Sequence, residues 1–327
     1  MLVLSEEEII ENYLMKDALK DMRHGLSAKN KGLIENPQRV VIEVPEHQAS
    51  SLNMPSADFS NHMFAMKVVT IFPENPKINK PTTQGVLLLS DAKTGEHQCL
   101  MNASFLTRLR TGALSGIATD KLARLASNVL GIIGTGGMAF EQVLGVLEVR
   151  EIDQIILFNR TEAKAHTFKE KLMDYGVKAD ITVVDHVKEV VTNADVICCA
   201  TRSNDPVFNG HDLKDGTHIN GVGSYLPHMR EVDLTTIQSA GKIVVDDLAS
   251  VKEEAGELID AEKNSDWRFS DVYGELRNIH EQNGLVRETQ EEITFFKSVG
   301  AAYFDLIVAI GVYKKALQLG IGQTIEL

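Results

Sequence analysis

From Asn128 onward, short apolar runs alternate with polar or helical-period stretches. The runs are Val129–Ile133, Ile155–Phe158, Ile181–Val184, Val196–Ala200, His218–Val222 and Ile243–Val245. Short hydrophobic runs suit strands buried on both faces, and their alternation with helix-length segments predicts a parallel sheet with crossover helices. Upstream, residues 1–103 read as a short helical start followed by β-rich segments such as Arg39–Val44 and Ala65–Phe72. FPENPKINKPTTQG is a loop, and LLLSDAKTGEHQCL is a hairpin turning at Asp91–Gly95. Leu106, Leu109, Ala113 and Ile117 recur at three- and four-residue steps, which makes 104–124 a helix. Past about residue 290 the pattern predicts a long helix with no strand, packing back on the N-terminal region.

These elements predict an α/β fold: a Rossmann-type, doubly wound parallel sheet with a second, N-terminal α+β domain completed by the C-terminal helix. Residues 1–112 and 290–327 form the substrate-binding and dimerisation domain on this reading, and residues 113–289 the dinucleotide-binding domain. A chain of 327 residues has room for both.

Charge and composition narrow the partners. Thirty-three basic against 46 acidic residues, 33 − 46 = −13, argue against a large nucleic-acid footprint. MLVLSEEEIIENYL carries acids where a secretory signal carries Lys or Arg, so no export is expected. The apolar stretch 295–319 is broken by Lys297, Asp305, Lys314 and Lys315, and its longest uncharged run is Leu306–Tyr313. That run is far short of the roughly 20 residues that span a bilayer. The three cysteines, Cys99, Cys198 and Cys199, have no zinc-ligand spacing, so no metal site is expected and a reducing cytoplasm is the expected setting.

The strongest local chemistry is in VLGIIGTGGMAFEQVLGVL. Gly134, Gly136 and Ala139 form G-x-G-x-x-A between a strand and a helix, the context in which this turn cradles a pyrophosphate against unpaired helix N–H groups. Thr135, Gly137 and Met138 complete the candidate cradle. The end of the next strand selects the dinucleotide, because a carboxylate there bonds the ribose 2′-hydroxyl of NAD. This chain has Asn159, Arg160 and Thr161 instead, which favours NADP(H), with NAD(H) as the other possibility. Thr201 and then Val222 and Gly223 follow later strands at the ligand-binding carboxyl edge. In the N-terminal region, Arg39, Lys67 and Arg110 lie beside apolar residues rather than in a charge run. They could collect an anionic substrate, Arg110 best of all, next to Thr111, since a guanidinium fork donates two parallel bonds to a carboxylate.

TRLRTGA (107–113), GIIGTGGMA (131–139), NRT (159–161) and FFKSVGAAYFDL (295–306) together resemble the ornithine cyclodeaminase/mu-crystallin family. MPSADF, MKVVTIFPENP and SDAKTGE are similar to its substrate-domain patterns, so the likeness runs from roughly Arg39 to the C-terminus. The resemblance implies a Rossmann domain, a substrate domain that pairs into a homodimer, and a small amino- or imino-acid substrate. It also implies that Arg39, Lys67 and Arg110 hold the substrate carboxylate, with Lys67 near the reacting carbon, and that Ser298 and Gly300 close over the nicotinamide. One segment departs from the family pattern. Where true cyclodeaminases carry an Asp in a G-G-D-x-P-G-K-type segment, this chain reads GVGSYLPHMRE, with Tyr225 at the Asp position and Met229 at the Lys position. Cyclodeamination needs a positioned base, whereas reduction of a preformed cyclic imine can take its proton from solvent. The expected activity is therefore NAD(P)H-dependent reduction of a cyclic 2-imino acid such as Δ1-pyrroline-2-carboxylate. The alternatives are ornithine cyclodeaminase, an alanine-type dehydrogenase, and a non-catalytic NADPH-binding protein.

Overall fold

The computed structural model describes residues 1–326. They form two compact units: Met1–Arg110 with the chain from Ala301 onward, and Thr111–Gly300.

In the first unit, an eight-stranded sheet runs in the order Gln323–Thr324, Leu2–Leu4, His97–Asn102, Thr83–Asp91, Met63–Ile71, Ala49–Asp58, Ile34–Glu35, with Val40–Val44 also pairing to Ala49–Asp58. Only Leu2–Leu4 pairs in parallel, with His97–Asn102. Strand alternation sets what lies inside: Ala65, Lys67 and Val69 are buried, while Phe64 and Met66 point to the open face. The helices Met15–Asn30 and Ala302–Leu319 pack on this unit, the latter against the central strands. Ala302–Leu319 is apolar nearly all round because both of its sides are covered, and Gly320, in the left-handed region at φ 68°, ends it.

The second unit is a parallel sheet of eight strands in the order Asp180–Val183, Gln154–Phe158, Val129–Ile133, Val196–Cys199, His218–Gly221, Ile293–Lys297, Ala240–Val245, Gly274–Glu275. Apolar clusters cover it on both faces. Strand order reverses at Val129–Ile133, whose neighbours are Gln154–Phe158 and Val196–Cys199. The carboxyl end of such a switch point is where open α/β sheets bind ligands.

Two expectations are corrected here. The stretch past residue 290 is not helix alone: Ile293–Lys297 is a strand inside the parallel sheet, between His218–Gly221 and Ala240–Val245. The second unit accordingly runs to Gly300 and not to 289. A short, mostly apolar segment before a Gly turn can be strand or helix by periodicity, and here the sheet claimed it. Gly274–Glu275 adds a further short edge strand. Among the described residues no helix is long and apolar enough to cross a membrane.

The helix Ala103–Leu122 carries Arg110 and Thr111 and continues from the first unit into the second. Asn102 starts it, its side-chain oxygen accepting from Ser104 N at 2.9 Å and Phe105 N at 3.3 Å. Two buried arginines close its other end. Arg150 donates to Thr119 O at 3.0 Å and Ala123 O at 2.9 Å, and Arg287 to Leu122 O at 3.0 Å. Cations on the last carbonyls complement the helix dipole.

Candidate active site

The first unit buries a cationic cluster around one carboxylate. Lys67 Nζ donates to Asp305 Oδ2 at 2.6 Å and to Thr107 Oγ1 at 3.3 Å. Arg110 Nε lies 3.5 Å from Asp305 Oδ1. Arg39, half-buried, is near enough to act on both Lys67 and Asp305. Lys67 and Arg110 are 2% and 6% exposed, and the Asp305 side chain 1%. Burial pushes the Lys67 ammonium down to about 8; Arg110 and Arg39 push the same way, and Asp305 opposes them. Burial alone would raise the Asp305 carboxyl, but Lys67 and Arg110 outweigh it and hold the group below its ordinary value. Lys67, Arg110 and Arg39 thus gather around the Asp305 carboxylate, at a place where Lys67 is almost out of water. Such a cluster is complementary to a second carboxylate supplied by a ligand.

Asp305 is the residue that sequence reasoning missed as a partner. Its signal was present as the single acid in the helix Ala302–Leu319, because an isolated carboxylate on an apolar helix needs a cation.

In the second unit the glycine turn has the form expected of a pyrophosphate cradle. Gly134 adopts φ 89°, and a Cβ there would lie 2.6 Å from Thr201 Cγ2 and 3.1 Å from Ala200 O. No side chain could occupy that place. At Gly136 and Gly137 a Cβ would meet open space, leaving the backbone approachable. Met138 gives the helix Ala139–Leu147 no side-chain cap, and Thr135 Oγ1 is buried without a hydrogen-bond partner. A capless helix start, an open glycine backbone and an orphaned hydroxyl fit a bound phosphate group.

The remaining candidates divide into groups. Asn159 Oδ1 accepts from Thr135 N at 3.1 Å and Asn159 Nδ2 donates to Thr161 O at 2.9 Å, so this side chain braces the turn. Arg160 and Thr161 are exposed, and Arg160 has no ion pair among the described residues. Thr201 and Gly223 are drawn together by Glu231, which accepts from Thr201 N at 2.6 Å, Thr201 Oγ1 at 2.8 Å and Gly223 N at 2.7 Å. Val222 is buried beside them in sequence. Ser298 and Gly300 are held by Asp246 Oδ2, which accepts from Ser298 Oγ at 2.7 Å, Val299 N at 3.0 Å and Gly300 N at 2.7 Å. Thr111 is buried. Tyr225 packs half-buried against an apolar cluster and Met229 is buried, while Glu231 is committed to backbone. Among the described residues no group of His, Cys, Asp and Glu could hold a metal ion.

Fold and geometry together define a Rossmann-type protein with an attached α+β unit that buries an anion-seeking cluster. The chain belongs to the ornithine cyclodeaminase/mu-crystallin family, whose sequence profile matches residues 1–320. It is 38% identical over 327 residues, all of both chains, to a Δ1-pyrroline-2-carboxylate reductase of Bacillus cereus. Among solved structures it is similar to the Thermococcus litoralis Δ1-pyrroline-2-carboxylate reductase in complex with NADH and L-proline: TM-score 0.94, 36% identity, 99% of this chain and 100% of that one. It is also similar to an archaeal alanine dehydrogenase dimer with bound NAD: TM-score 0.92, 31% identity, 100% of this chain and 99% of that one.

Proposed function

We propose that the protein is an NAD(P)H-dependent reductase of a small cyclic 2-imino acid, taking Δ1-pyrroline-2-carboxylate to L-proline or a close homologue. The observation that carries this reading is the gathering of Lys67, Arg110 and Arg39 around the buried Asp305. Arg39 and Arg110 bind the substrate carboxylate, and Lys67, already fixed by Asp305 and Thr107, binds it too and polarises the imine. Thr111 contacts substrate and cofactor. When bound there, a reduced nicotinamide would supply hydride to substrate C2, and the imine nitrogen would take its proton from solvent. The likeness to relatives named as reductases of this imino acid supports the same substrate. Tyr225, at the cyclodeaminase Asp position, offers no carboxylate to take protons from ornithine, and Glu231 is spent on Thr201 and Gly223.

For the cofactor, Gly134, Thr135, Gly136, Gly137 and Met138 cradle the pyrophosphate. Thr201, Val222, Gly223, Ser298 and Gly300 contact the nicotinamide half. The strand Gln154–Phe158 leads into Asn159 and not into an acid, which leaves exposed Arg160 and Thr161 to receive a 2′-phosphate. NADP(H) is the preferred form, and NAD(H) is accepted.

The open face of the first unit's sheet exposes Val40, Ile42, Phe64, Met66 and Val86, a contiguous apolar patch by strand register. Surface of this kind marks an interface, and a second copy of the chain is the partner, giving a homodimer. Three unpaired buried cysteines suit a reducing cytoplasm. Following reduced-nicotinamide oxidation with pyrroline- and piperideine-2-carboxylate and open-chain 2-imino acids, beside ammonia release from ornithine, tests the assignment.

A further inference from the structure

The second unit contains a wholly buried ion pair that no substrate or cofactor group explains. Lys297 ends the strand Ile293–Lys297 and is the register partner of Gly221. Its ammonium lies 3.0 Å from Glu257 Oε1, with both side chains 0% exposed. Lys297 Nζ also donates to Ser224 O at 2.6 Å and to Ser224 Oγ. Ser224 Oγ in turn donates to Glu257 Oε1 at 2.9 Å and Oε2 at 3.1 Å. The three residues close a triangle around the backbone that follows the strand His218–Gly221.

From that triangle a run of close contacts leads to the glycine turn. Glu231 Oε2 accepts from Ser224 N at 3.3 Å and Gly223 N at 2.7 Å, and its Oε1 accepts from Thr201 N at 2.6 Å. Gly223 lies so near Thr201 that a Cβ on it would be 2.1 Å from Thr201 O. Thr201 in turn closes on Gly134, as described above. The run Ser224, Gly223, Thr201, Gly134 is closely packed, too close for a side chain on either glycine, so a shift at Ser224 would press on the turn.

We propose that Lys297 and Glu257 are positioning residues which, through Ser224, fix the backbone of Val222–Ser224 and so set how tightly the nicotinamide nucleotide is held. This rests on the function proposed above. A buried ion pair contributes little net stability compared with apolar residues of similar volume. Its use here, in full burial and bonded to the Ser224 backbone, points to orientation. Lys297 also holds a charge balance, because it opposes the mutual repulsion of Glu231 and Glu257; burial, first, and Glu257 raise the Glu231 carboxyl, and Lys297 lowers it.

The test uses the full-length protein with both partners replaced, Lys297→Met with Glu257→Leu, so that no single buried charge is stranded. NADPH and NADH affinities are read by nucleotide fluorescence, KM for both substrates by steady-state kinetics, and folding by thermal melting. The double variant is expected to melt near the unmodified protein, to bind nucleotide roughly 10- to 100-fold more weakly, and to keep its KM for the imino acid. A purely structural pair would leave affinity unchanged once melting is restored, and that result overturns the proposal. If the double variant does not fold, Ser224→Ala is read in the same titration. Roughly threefold or greater weakening supports the proposal and unchanged affinity overturns it. An unmodified protein that binds neither nucleotide contradicts the nicotinamide reading itself, and this inference falls with it.

Discussion

Lys67 and Asp305 meet at 2.6 Å although 238 residues separate them, and neither is more than 3% exposed in its side chain. The pair joins a strand to the C-terminal helix and orders the cations proposed to take the substrate carboxylate. Its charges give the reading a pH signature. If Lys67 must be protonated to hold substrate, kcat/KM is lost as pH rises through the Lys67 value, about 8. Asp305 lies below its ordinary carboxyl value and stays ionised across that range. A pH–rate profile should therefore show an alkaline limb near 8, and Lys67→Arg should move that limb upward, since guanidinium does not deprotonate there. A flat profile from 7 to 10 in the unmodified protein would contradict the role of Lys67.

Asp305→Asn removes the carboxylate that Lys67 Nζ meets at 2.6 Å. Breaking a buried pair from one side costs about 3–5 kcal/mol, less whatever Lys67 recovers by shedding its proton. The variant should be less stable in urea, and its alkaline limb should move below that of the unmodified protein. An unmoved limb would mean that Asp305 does not govern the charge of Lys67.

How much of this was legible in the sequence depends on range. The glycine turn and the strands around it are local patterns, and each was readable because strand, turn and helix follow one another within a few residues. Ile293–Lys297 was not separable from the helix after it, because both are mostly apolar and only hydrogen bonding to His218–Gly221 and Ala240–Val245 decides between them. Asp305 was visible as an oddity, but its partner lies 238 residues away. Lys297 stood out as a charge in an apolar stretch, but its partner Glu257 gave no signal, since a charged residue near a helix start is ordinarily solvated.

Cofactor choice depends on an exposed residue. Arg160→Ala should weaken NADPH binding about tenfold, as loss of a charge-assisted contact does, and leave NADH binding within about twofold. Fluorescence titration with both nucleotides checks this, and tighter NADH binding that Arg160→Ala leaves unchanged would refute the 2′-phosphate assignment.

The apolar sheet face predicts self-association. Sedimentation or light scattering should report a dimer or a larger assembly at micromolar concentration. Met66→Lys with Phe64→Lys should shift the protein toward monomer by placing charges inside a self-complementary interface, where like charges repel. A stable monomer in the unmodified protein would rule this interface out.

On the proposed chemistry the chain reduces a cyclic imino acid and does not deaminate ornithine. The most direct measurement is one assay with NADPH and Δ1-pyrroline-2-carboxylate, beside one with oxidised cofactor and ornithine read for ammonia. The account predicts proline formation in the first and no ammonia in the second, with Lys67→Ala and Arg110→Ala each costing about 2–5 kcal/mol of transition-state binding, or roughly 30-fold to several thousand-fold in kcat/KM. Proline and ammonia from ornithine at rates matching imine reduction would contradict it, and would hand the missing carboxylate's task to Tyr225, Glu231 or a bound water.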